Sequence, residues 1–327
     1  MKRILKIVLG VLLLFIILIV GWYLYNTRIA ESLDPMKDAP LGTRFEKIDG
    51  ENIAYSEIDN NASTTIIFIG GLLAWHGTWQ RTLEVLSKDV EYNYIAIDLP
   101  PFGYSTVKED GNFFRNTQAK RIEKFIEFKK EEEKSLEHVI LVAHSYGAGP
   151  AAEAVLQDDK NVISKFIVID GVLNIDEKKI STGKGLIQFD SLRNIAAGLG
   201  IHIDLVVANR LKSFVYVTQY IDSEMVRIYT NPLSVKGTTQ KLSSWVKDYV
   251  NDPQNYVSNE SKNYTSLDIP VRIIWGEEDV LTPIALTQIL LSSVPDSKLY
   301  TLKEVGHIPM IEDYEQFDVA LRKALDE

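Results

Sequence analysis

The stretch 139–149 constrains the fold of this chain more than any other. Four apolar residues, Val-Ile-Leu-Val, precede Ala143 and predict a buried strand, and the Ala-rich run from Pro150 to Leu156 predicts a helix. Between them lies His-Ser-Tyr-Gly, with Ser145 at its centre. Small residues around Ser145 allow a tight turn whose backbone runs close to neighbouring elements. The stretch therefore predicts a strand, a sharp turn and a helix. An ordinary strand–helix turn and a turn that carries a nucleophile share this pattern.

Predicted strands alternate with predicted helices over most of the chain. The strands and their turns cover residues 64–69, 92–97, 139–143, 165–171, 269–276 and 298–302. The helices cover residues 79–86, 116–136, 150–156, 281–291 and 314–325. A hairpin around Asp49-Gly50 precedes them, within residues 44–58. Alternation of this kind predicts an α/β fold with a mostly parallel, doubly wound sheet covered by helices on both faces.

The alternation is interrupted once, by a long segment without a clear strand. Residues 173–265 predict helical pieces rich in aromatic residues, which we interpret as a helical cap inserted into the sheet domain. The predicted organisation is listed from the N-terminus: a transmembrane helix over 1–30, a linker over 31–44, a core formed by 45–172 and 266–327, and the cap over 173–265.

The N-terminus predicts a membrane anchor. Three basic residues precede an uncharged apolar run of 19 residues, 7–25, which is long enough to cross a bilayer as a helix. Trp22, Tyr23 and Tyr25 stand where a cleavable signal peptide has small residues, so we favour an uncleaved signal anchor. The basic N-terminal flank predicts a single-pass protein of the cell membrane, with the rest of the chain on the extracytoplasmic side.

Composition excludes several kinds of partner. The net charge is -10, and the first 30 residues hold four basic and no acidic residues, so the rest of the chain carries about -14. Nucleic acid is therefore not an expected partner, because binding it requires a basic face. The chain has no Cys, which excludes disulfides and a lipoprotein anchor. We predict no metal centre and no cofactor, since metal-ligand spacings and phosphate-binding loops are absent from the sequence.

Three polar residues follow predicted strands at positions where their side chains can meet. Ser145, Asp279 and His307 each come shortly after a strand, and ligands bind beyond the carboxyl ends of strands in such sheets. A Ser hydroxyl needs a base within hydrogen-bond reach, and the base needs a carboxylate that holds its tautomer. We therefore predict Ser145 as nucleophile, His307 as base and Asp279 as acid, in the chain order typical of a nucleophile elbow.

Other residues near these positions are alternatives for a catalytic role or candidates for the wall of the site. Glu277 and Glu278 compete with Asp279 for the role of acid, and Asp279 has the alternative role of a helix cap. His76 lies in the loop after the first buried strand and is a candidate for the wall of a pocket. His144 adjoins the nucleophile, but we expect its side chain to point away from the site.

Acyl transfer also requires N–H donors for a tetrahedral oxyanion. One is expected to be the backbone N–H of Tyr146, directly after the nucleophile. The other is expected from the loop Gly70-Gly71-Leu72, because glycine lets a backbone approach a ligand closely. Gly71 is accordingly a second candidate for the pocket.

Five motifs in this order resemble the α/β-hydrolase superfamily over about residues 45–327. They are Gly70-Gly71 followed by Trp79, the loop 98–105, His144-Ser145-Tyr146-Gly147, the segment 275–279 and the segment 306–312. The resemblance implies the same three catalytic residues, oxyanion donors at Leu72 and Tyr146, and a cap that shapes the substrate pocket. Gly70, Ala143 and Pro101 depart from the family pattern, but none of these departures removes a catalytic group.

The resemblance also implies an activity. We expect a membrane-anchored serine hydrolase that cleaves a carboxylic ester, lipid-like or small and apolar, through an acyl-enzyme. The expected partners are this small-molecule ester and the lipid bilayer. Hydrolysis of a carbon–carbon bond or an amide on the same three residues is the alternative, and a non-catalytic binding protein on the same fold is a third hypothesis. The cap decides between substrates, and the sequence says least there.

Overall fold

In the part of the chain that the structure describes, a mixed eight-stranded sheet forms the centre of the molecule. The computed structural model describes residues 2–133, 135–173, 175, 188–198 and 201–327. The strands are β1 (Arg44–Ile48), β2 (Glu51–Ile58), β3 (Thr64–Ile69), β4 (Tyr92–Ile97), β5 (His138–His144), β6 (Ile163–Ile169), β7 (Val271–Gly276) and β8 (Ser297–Leu302). Their order in the sheet is β1-β2-β4-β3-β5-β6-β7-β8. The strands from β4 to β8 run parallel, and β2 pairs antiparallel with both β1 and β4. The predicted α/β architecture is therefore confirmed.

The first two strands form the predicted hairpin. Ile48 pairs with Glu51, and the two residues between them both have positive φ, +50° at Asp49 and +86° at Gly50. Two consecutive positive φ angles are the signature of the tight turn whose twist matches that of paired strands. The Asp-Gly dipeptide thus sets the register of the hairpin.

Helices cover both faces of the sheet. Those of the core are α2 (Gln80–Leu86), α3 (Arg115–Glu132), α4 (Ala148–Gln157), α10 (Thr287–Ser293), α11 (Pro309–Glu312) and α12 (Tyr314–Asp326). Ile122 of α3 and Ala151 of α4 belong to one apolar cluster, and Leu83 of α2 and Leu321 of α12 belong to another. Since both faces are covered, the central strands are buried throughout, which explains their continuous apolar runs.

Two helices begin with a 3-10 turn, and the second of them begins later than its sequence pattern predicts. The first predicted helix begins with a 3-10 turn, His76–Trp79, before α2. The predicted helix 281–291 begins with a 3-10 turn at Ile284, and α10 follows it. The delay has a local cause, because the carboxylate of Asp279 accepts the N–H groups of Leu281 and Thr282 and holds them in a loop.

The cap lies between β6 and β7. Its described helices are α5 (Asp190–Gly198), α6 (Asp204–Lys212), α7 (Ser223–Thr230), α8 (Thr238–Val250) and α9 (Ser261–Tyr264), with short 3-10 turns between some of them. Tyr229 and Leu242 of this cap belong to the same apolar cluster as α2 and α12. The cap therefore packs on one face of the molecule, above the carboxyl ends of the parallel strands.

The N-terminal helix is joined to the cap by hydrogen bonds. Helix α1 (Lys2–Tyr25) continues into a π-helical turn, Asn26–Ala30, and the whole is long and apolar enough to cross a membrane. The side chain of the buried Asn26 donates to the carbonyl oxygen of Gly198 at 2.5 Å. Leu33, in the segment predicted as a linker, forms a parallel bridge with Val235. The first residues of that segment are therefore part of the packed structure.

Candidate active site

The turn after β5 presents Ser145 at the carboxyl edge of the sheet. Ser145 begins a 3-10 turn and has a φ of +50°, which is unusual for a residue with a side chain and costs backbone strain. The turn is also tightly packed, since a Cβ at Gly147 would lie 2.5 Å from the carbonyl oxygen of Gly70. Only glycine fits that approach, which explains the small residue two positions after Ser145.

The three residues predicted as a catalytic set lie in one hydrogen-bonded chain. His307 Nε2 is 2.8 Å from Ser145 Oγ, and His307 Nδ1 is 2.7 Å from Asp279 Oδ2. All three side chains are buried, whereas Glu277 and Glu278 are exposed. The sheet thus brings together residues from the ends of three different strands.

Thr282 completes the surroundings of the acid. Its Oγ1 donates to Asp279 Oδ2 at 2.5 Å and lies 3.2 Å from His307 Nδ1. Burial by itself raises the pKa of Asp279, but hydrogen bonds from His307 and Thr282 and the attraction of the His307 ring hold that pKa below its ordinary value. Asp279 is therefore ionised and oriented towards the imidazole. Sequence reasoning missed Thr282, although a Thr three residues after an Asp is a common local hydrogen-bonding pattern.

The loop after β3 runs beside Ser145 and carries one of the two predicted oxyanion donors. A Cβ at Gly71 would lie 2.8 Å from the Cβ of Ser145, so the loop after β3 runs directly alongside it. Within the described part of the chain, the Leu72 N–H donates to no protein acceptor. The Tyr146 N–H lies in the first turn of the 3-10 helix, where N–H groups have no intrahelical acceptor. Leu72 directly follows Gly71 and Tyr146 directly follows Ser145, so both predicted oxyanion donors belong to the two backbone segments that meet at the nucleophile turn.

The position of His144 differs from our expectation. Its Nε2 lies 2.7 Å from the carbonyl oxygen of His307, and its ring borders the cavity beside Ser145. Burial and the neighbouring His307 lower the pKa of His144 to about 3, so the ring is neutral and Nε2 donates to the carbonyl. The alternation of side chains along β5 does not predict this orientation, because the left-handed backbone at Ser145 ends the alternation there.

His76, a candidate for the pocket, is not among the residues that line the cavity beside Ser145. Its ring Nδ1 is 2.8 Å from Asp98 Oδ1, and its Nε2 is 3.0 Å from Thr43 Oγ1. The other oxygen of Asp98 accepts the N–H of Tyr104 at 2.8 Å. The buried Asp98 therefore ties together two loops at the edge of the site, and His76 is one of its partners.

A second buried acid, Asp170, lies behind the triad-like chain at the end of β6. Asp170 Oδ1 accepts the N–H of Gly276 at 2.9 Å, and the carboxyl group of Asp170 faces that of Asp279. Burial and the negative charge of Asp279 raise the pKa of Asp170 well above its ordinary value. Asp170 therefore keeps its proton to a higher pH than an ordinary carboxyl group does. The sequence placed it after a strand, but nothing in its local pattern distinguished it.

An apolar cavity of about 450 Å³ opens beside Ser145 and His307. The cap supplies much of its wall, including Ala196, Ala197, Val206, Phe214 and Tyr229. Among the described residues, Arg210 is the one formally charged side chain on that wall. The volume and lining are those of a small-molecule site. A hydroxyl with a base, an ionised acid, two free N–H donors and an apolar cavity form an arrangement suited to acyl transfer.

A model of the α/β-hydrolase fold matches residues 64–314, which is most of the chain. The chain belongs to the α/β-hydrolase family. The family resemblance seen in the sequence is thereby confirmed. The order of sheet strands and the position of the serine turn in this α/β hydrolase agree with that assignment.

Individual relatives of this α/β hydrolase have different recorded activities. It is 25% identical to an uncharacterised hydrolase, YugF, of Bacillus subtilis, over 80% of this chain and 89% of that protein. A meta-cleavage product hydrolase from Pseudomonas fluorescens superposes with a TM-score of 0.69 at 18% identity, over 86% of this chain and 97% of the other. A bacterial membrane phospholipase A superposes with a TM-score of 0.64 at 18% identity, over 100% of this chain and 98% of the other. The two structures are similar in fold only.

Proposed function

We propose that this α/β hydrolase is a serine esterase that works through an acyl-enzyme. Ser145 Oγ attacks the ester carbonyl while His307 Nε2 takes the hydroxyl proton. The tetrahedral intermediate collapses, the C–O bond breaks, and His307 returns the proton to the departing alcohol. Water then attacks the acyl-serine with His307 as base, and the carboxylic acid leaves. The supporting observation is the hydrogen-bonded chain from Ser145 to Asp279 at the wall of an apolar cavity.

The N–H groups of Leu72 and Tyr146 hold the oxyanion in this proposal. They lie on the two loops that flank Ser145, and backbone donors of this kind stabilise charge that develops in the transition state. His144 acts through another residue, since its hydrogen bond to the His307 carbonyl fixes the loop that carries the base. We therefore assign it a positioning role.

We further propose that α1 anchors the enzyme in the cell membrane, with the catalytic domain on the extracytoplasmic side. The length and apolar character of the helix support the anchor. The basic residues at its start, Lys2, Arg3 and Lys6, support the orientation. A membrane-bound ester substrate suits such an enzyme.

Hydrolysis of a carbon–carbon bond is the second candidate. It is supported by the structural likeness to a meta-cleavage product hydrolase, and the same three residues suit attack on a ketone carbonyl. Arg210 on the cavity wall offers a partner for an anionic substrate of this type. We prefer the ester because the remainder of the cavity wall is largely apolar.

A fluorophosphonate probe tests the shared nucleophile. Full-length enzyme should be labelled at Ser145, Ser145→Ala should not be labelled, and His307→Ala should be labelled far more slowly. A folded wild-type enzyme that resists the probe would contradict the whole proposal.

A substrate panel then separates the two reactions. It comprises p-nitrophenyl esters of increasing chain length, one vinylogous diketone and one amide. We expect the esters to give the highest kcat/KM. A higher value for the diketone would reject the esterase in favour of the second candidate.

A further inference from the structure

Helix α5 separates the membrane helix from the substrate cavity. One end of α5 contacts α1, and the Asn26 side chain bonds to the carbonyl oxygen of Gly198, the last residue of α5. Ala196 and Ala197, just before that residue, line the cavity. A helix with its side chains is about 10–12 Å wide. The cavity is thus about one helix diameter from the end of the apolar segment.

The joint between α1 and the cap fixes their relative orientation. Glu31 is buried and accepts the N–H of Thr239 at 2.8 Å, and its carboxylate lies 3.4 Å from His202 Nε2. The backbone of Leu33 forms two hydrogen bonds, one from its N–H to Ser234 at 3.0 Å and one from the N–H of Lys236 at 2.9 Å. A flexible tether would leave the cavity free to face any direction, whereas this joint holds it next to the bilayer.

Exposed apolar side chains of the cap lie on the two helices next to this joint. Leu192 of α5 is 47% exposed. Leu205 and Val206 are 69% and 44% exposed and occupy the first turn of α6, directly after the loop that carries His202. We call Leu192, Leu205 and Val206 the cap rim. A single exposed leucine is ordinary on a soluble protein, but Val206 also lines the cavity, so the rim continues into the substrate site.

The charge at the rim matches a lipid surface. Arg210 lies one turn after Val206 on α6, on the same helix face, and is exposed. No carboxylate of the described residues forms an ion pair with it. In a bilayer, lipid phosphates lie just above the acyl chains. A guanidinium next to apolar side chains can therefore bind a phosphate while those side chains contact the acyl region.

We propose that the cap rim lies in the surface of the bilayer that holds α1, and that the cavity takes its ester-linked acyl chain directly from this bilayer. This inference rests on the proposed esterase and names the source of its substrate. The joint between α1 and the cap orients the cavity towards the bilayer. The cap rim contacts the lipid surface, and the apolar cavity receives the acyl chain.

Spin labelling tests the position of the rim without reference to activity. Because the chain has no Cys, Leu205→Cys provides a unique label site in the full-length protein. Val319→Cys is the matched control, since Val319 is 54% exposed on α12, which packs on β7 and β8. In vesicles of phosphatidylcholine and phosphatidylglycerol, the label at 205 should collide with oxygen and be shielded from a water-soluble nickel chelate. The label at 319 should show the reverse. Equal exposure to the chelate at both sites would overturn the inference.

Kinetics provide the second test. We compare Leu205→Glu with Val319→Glu on a long-chain fluorogenic ester in the same vesicles and on a soluble acetate ester. The ratio of kcat/KM values, vesicle over soluble, should fall about tenfold for Leu205→Glu, equivalent to about 1.4 kcal/mol, and stay constant for the control. An equal loss on both substrates would reject the membrane contact. A wild-type enzyme inactive on both would instead reject the proposed esterase, and the spin-label result would be unaffected.

Discussion

Asp279 determines which nitrogen of His307 carries the proton. The carboxylate accepts only, so the ring must donate from Nδ1, which leaves Nε2 free to accept from Ser145. In Asp279→Asn, the amide can donate to Nδ1 and favours the opposite tautomer. We expect kcat to fall by about 10⁴-fold, as it does in a serine-protease triad with the same change. Steady-state hydrolysis of a p-nitrophenyl ester measures this fall.

The neighbouring Glu278 offers a control for Asp279. Its side chain is exposed, so Glu278→Gln should retain wild-type kcat. A similar fall of kcat in both variants would show that the negative charge near the site, and not the tautomer of His307, sets the rate.

Asp170 makes the stability of the protein depend on pH. Its raised pKa means that the native state holds a proton that the unfolded chain has released above its ordinary pKa of 3.8. The stabilising contribution of Asp170 is therefore complete below that pH and is lost as the pH rises towards the native pKa. In Asp170→Asn the residue does not titrate, and its oxygen can still accept the Gly276 N–H.

The variant should consequently gain stability relative to wild type as the pH rises above 3.8, by up to about 1.4 kcal/mol for each pH unit until the native pKa of Asp170 is reached. Chemical denaturation in detergent at several pH values measures the difference. Parallel curves for the two proteins would contradict a protonated Asp170.

Among individual residues, sequence position predicted the three members of the hydrogen-bonded chain, but it predicted the side chains around them less well. Ser145, Asp279 and His307 each follow a strand, and topology alone brings such positions together. The orientation of His144 depends on a carbonyl 163 residues away. The pairing of His76 with Asp98 likewise depends on two loops meeting. Contacts of this kind have no local signal in the chain.

At the scale of elements, the turn after β5 depends on glycine. Gly147→Ala would bring a methyl group 2.5 Å from the Gly70 carbonyl and 2.8 Å from Ile69 Cγ2. The turn must then shift, which displaces Ser145 and the Tyr146 N–H. We expect loss of about 10²-fold or more in kcat/KM, the effect of a misplacement of about 1 Å. Esterase assays and thermal denaturation measure both consequences.

Gly198→Ala is the matched control for the turn variant. Gly198 ends helix α5, and an added Cβ would have ordinary contacts, the nearest at 3.4 Å from Thr239. Alanine favours helix over glycine, so this variant should be folded and at least as stable as wild type. If Gly147→Ala behaved in the same way, the tight approach to Gly70 would be unimportant.

The elements themselves divide into predictable and unpredictable kinds. Continuous apolar runs predicted the parallel strands, because a strand that is covered on both faces of the sheet consists mainly of apolar residues. Asp49-Gly50 predicted the hairpin through its turn geometry. The start of α10 was not predicted, since it depends on the hydrogen bonds that the Asp279 carboxylate makes with the following loop. Helix propensities of single residues do not include this competition, in which a side-chain carboxylate binds the N–H groups at the start of the predicted helix.

At the scale of the whole molecule, the proposed topology places the large domain outside the cytoplasm. Protease added to intact cells should then digest the domain, while a cytoplasmic marker protein in the same cells is spared. Lysed cells supply the positive control. Complete protection of the domain in intact cells, with digestion after lysis, would reverse the proposed orientation.

The joint between the N-terminal helix and the cap also has a consequence for biosynthesis. Asn26 and Gly198 are 172 residues apart, and Glu31 and Thr239 are 208 residues apart. At about 5–20 residues per second, a ribosome completes Thr239 roughly 10–40 s after Glu31. During that interval the carboxylate that is buried in the finished protein has no partner and must remain hydrated. The joint therefore closes late, and a chain truncated within the cap would retain its N-terminal helix while the acid that is buried in the finished protein stays open to water.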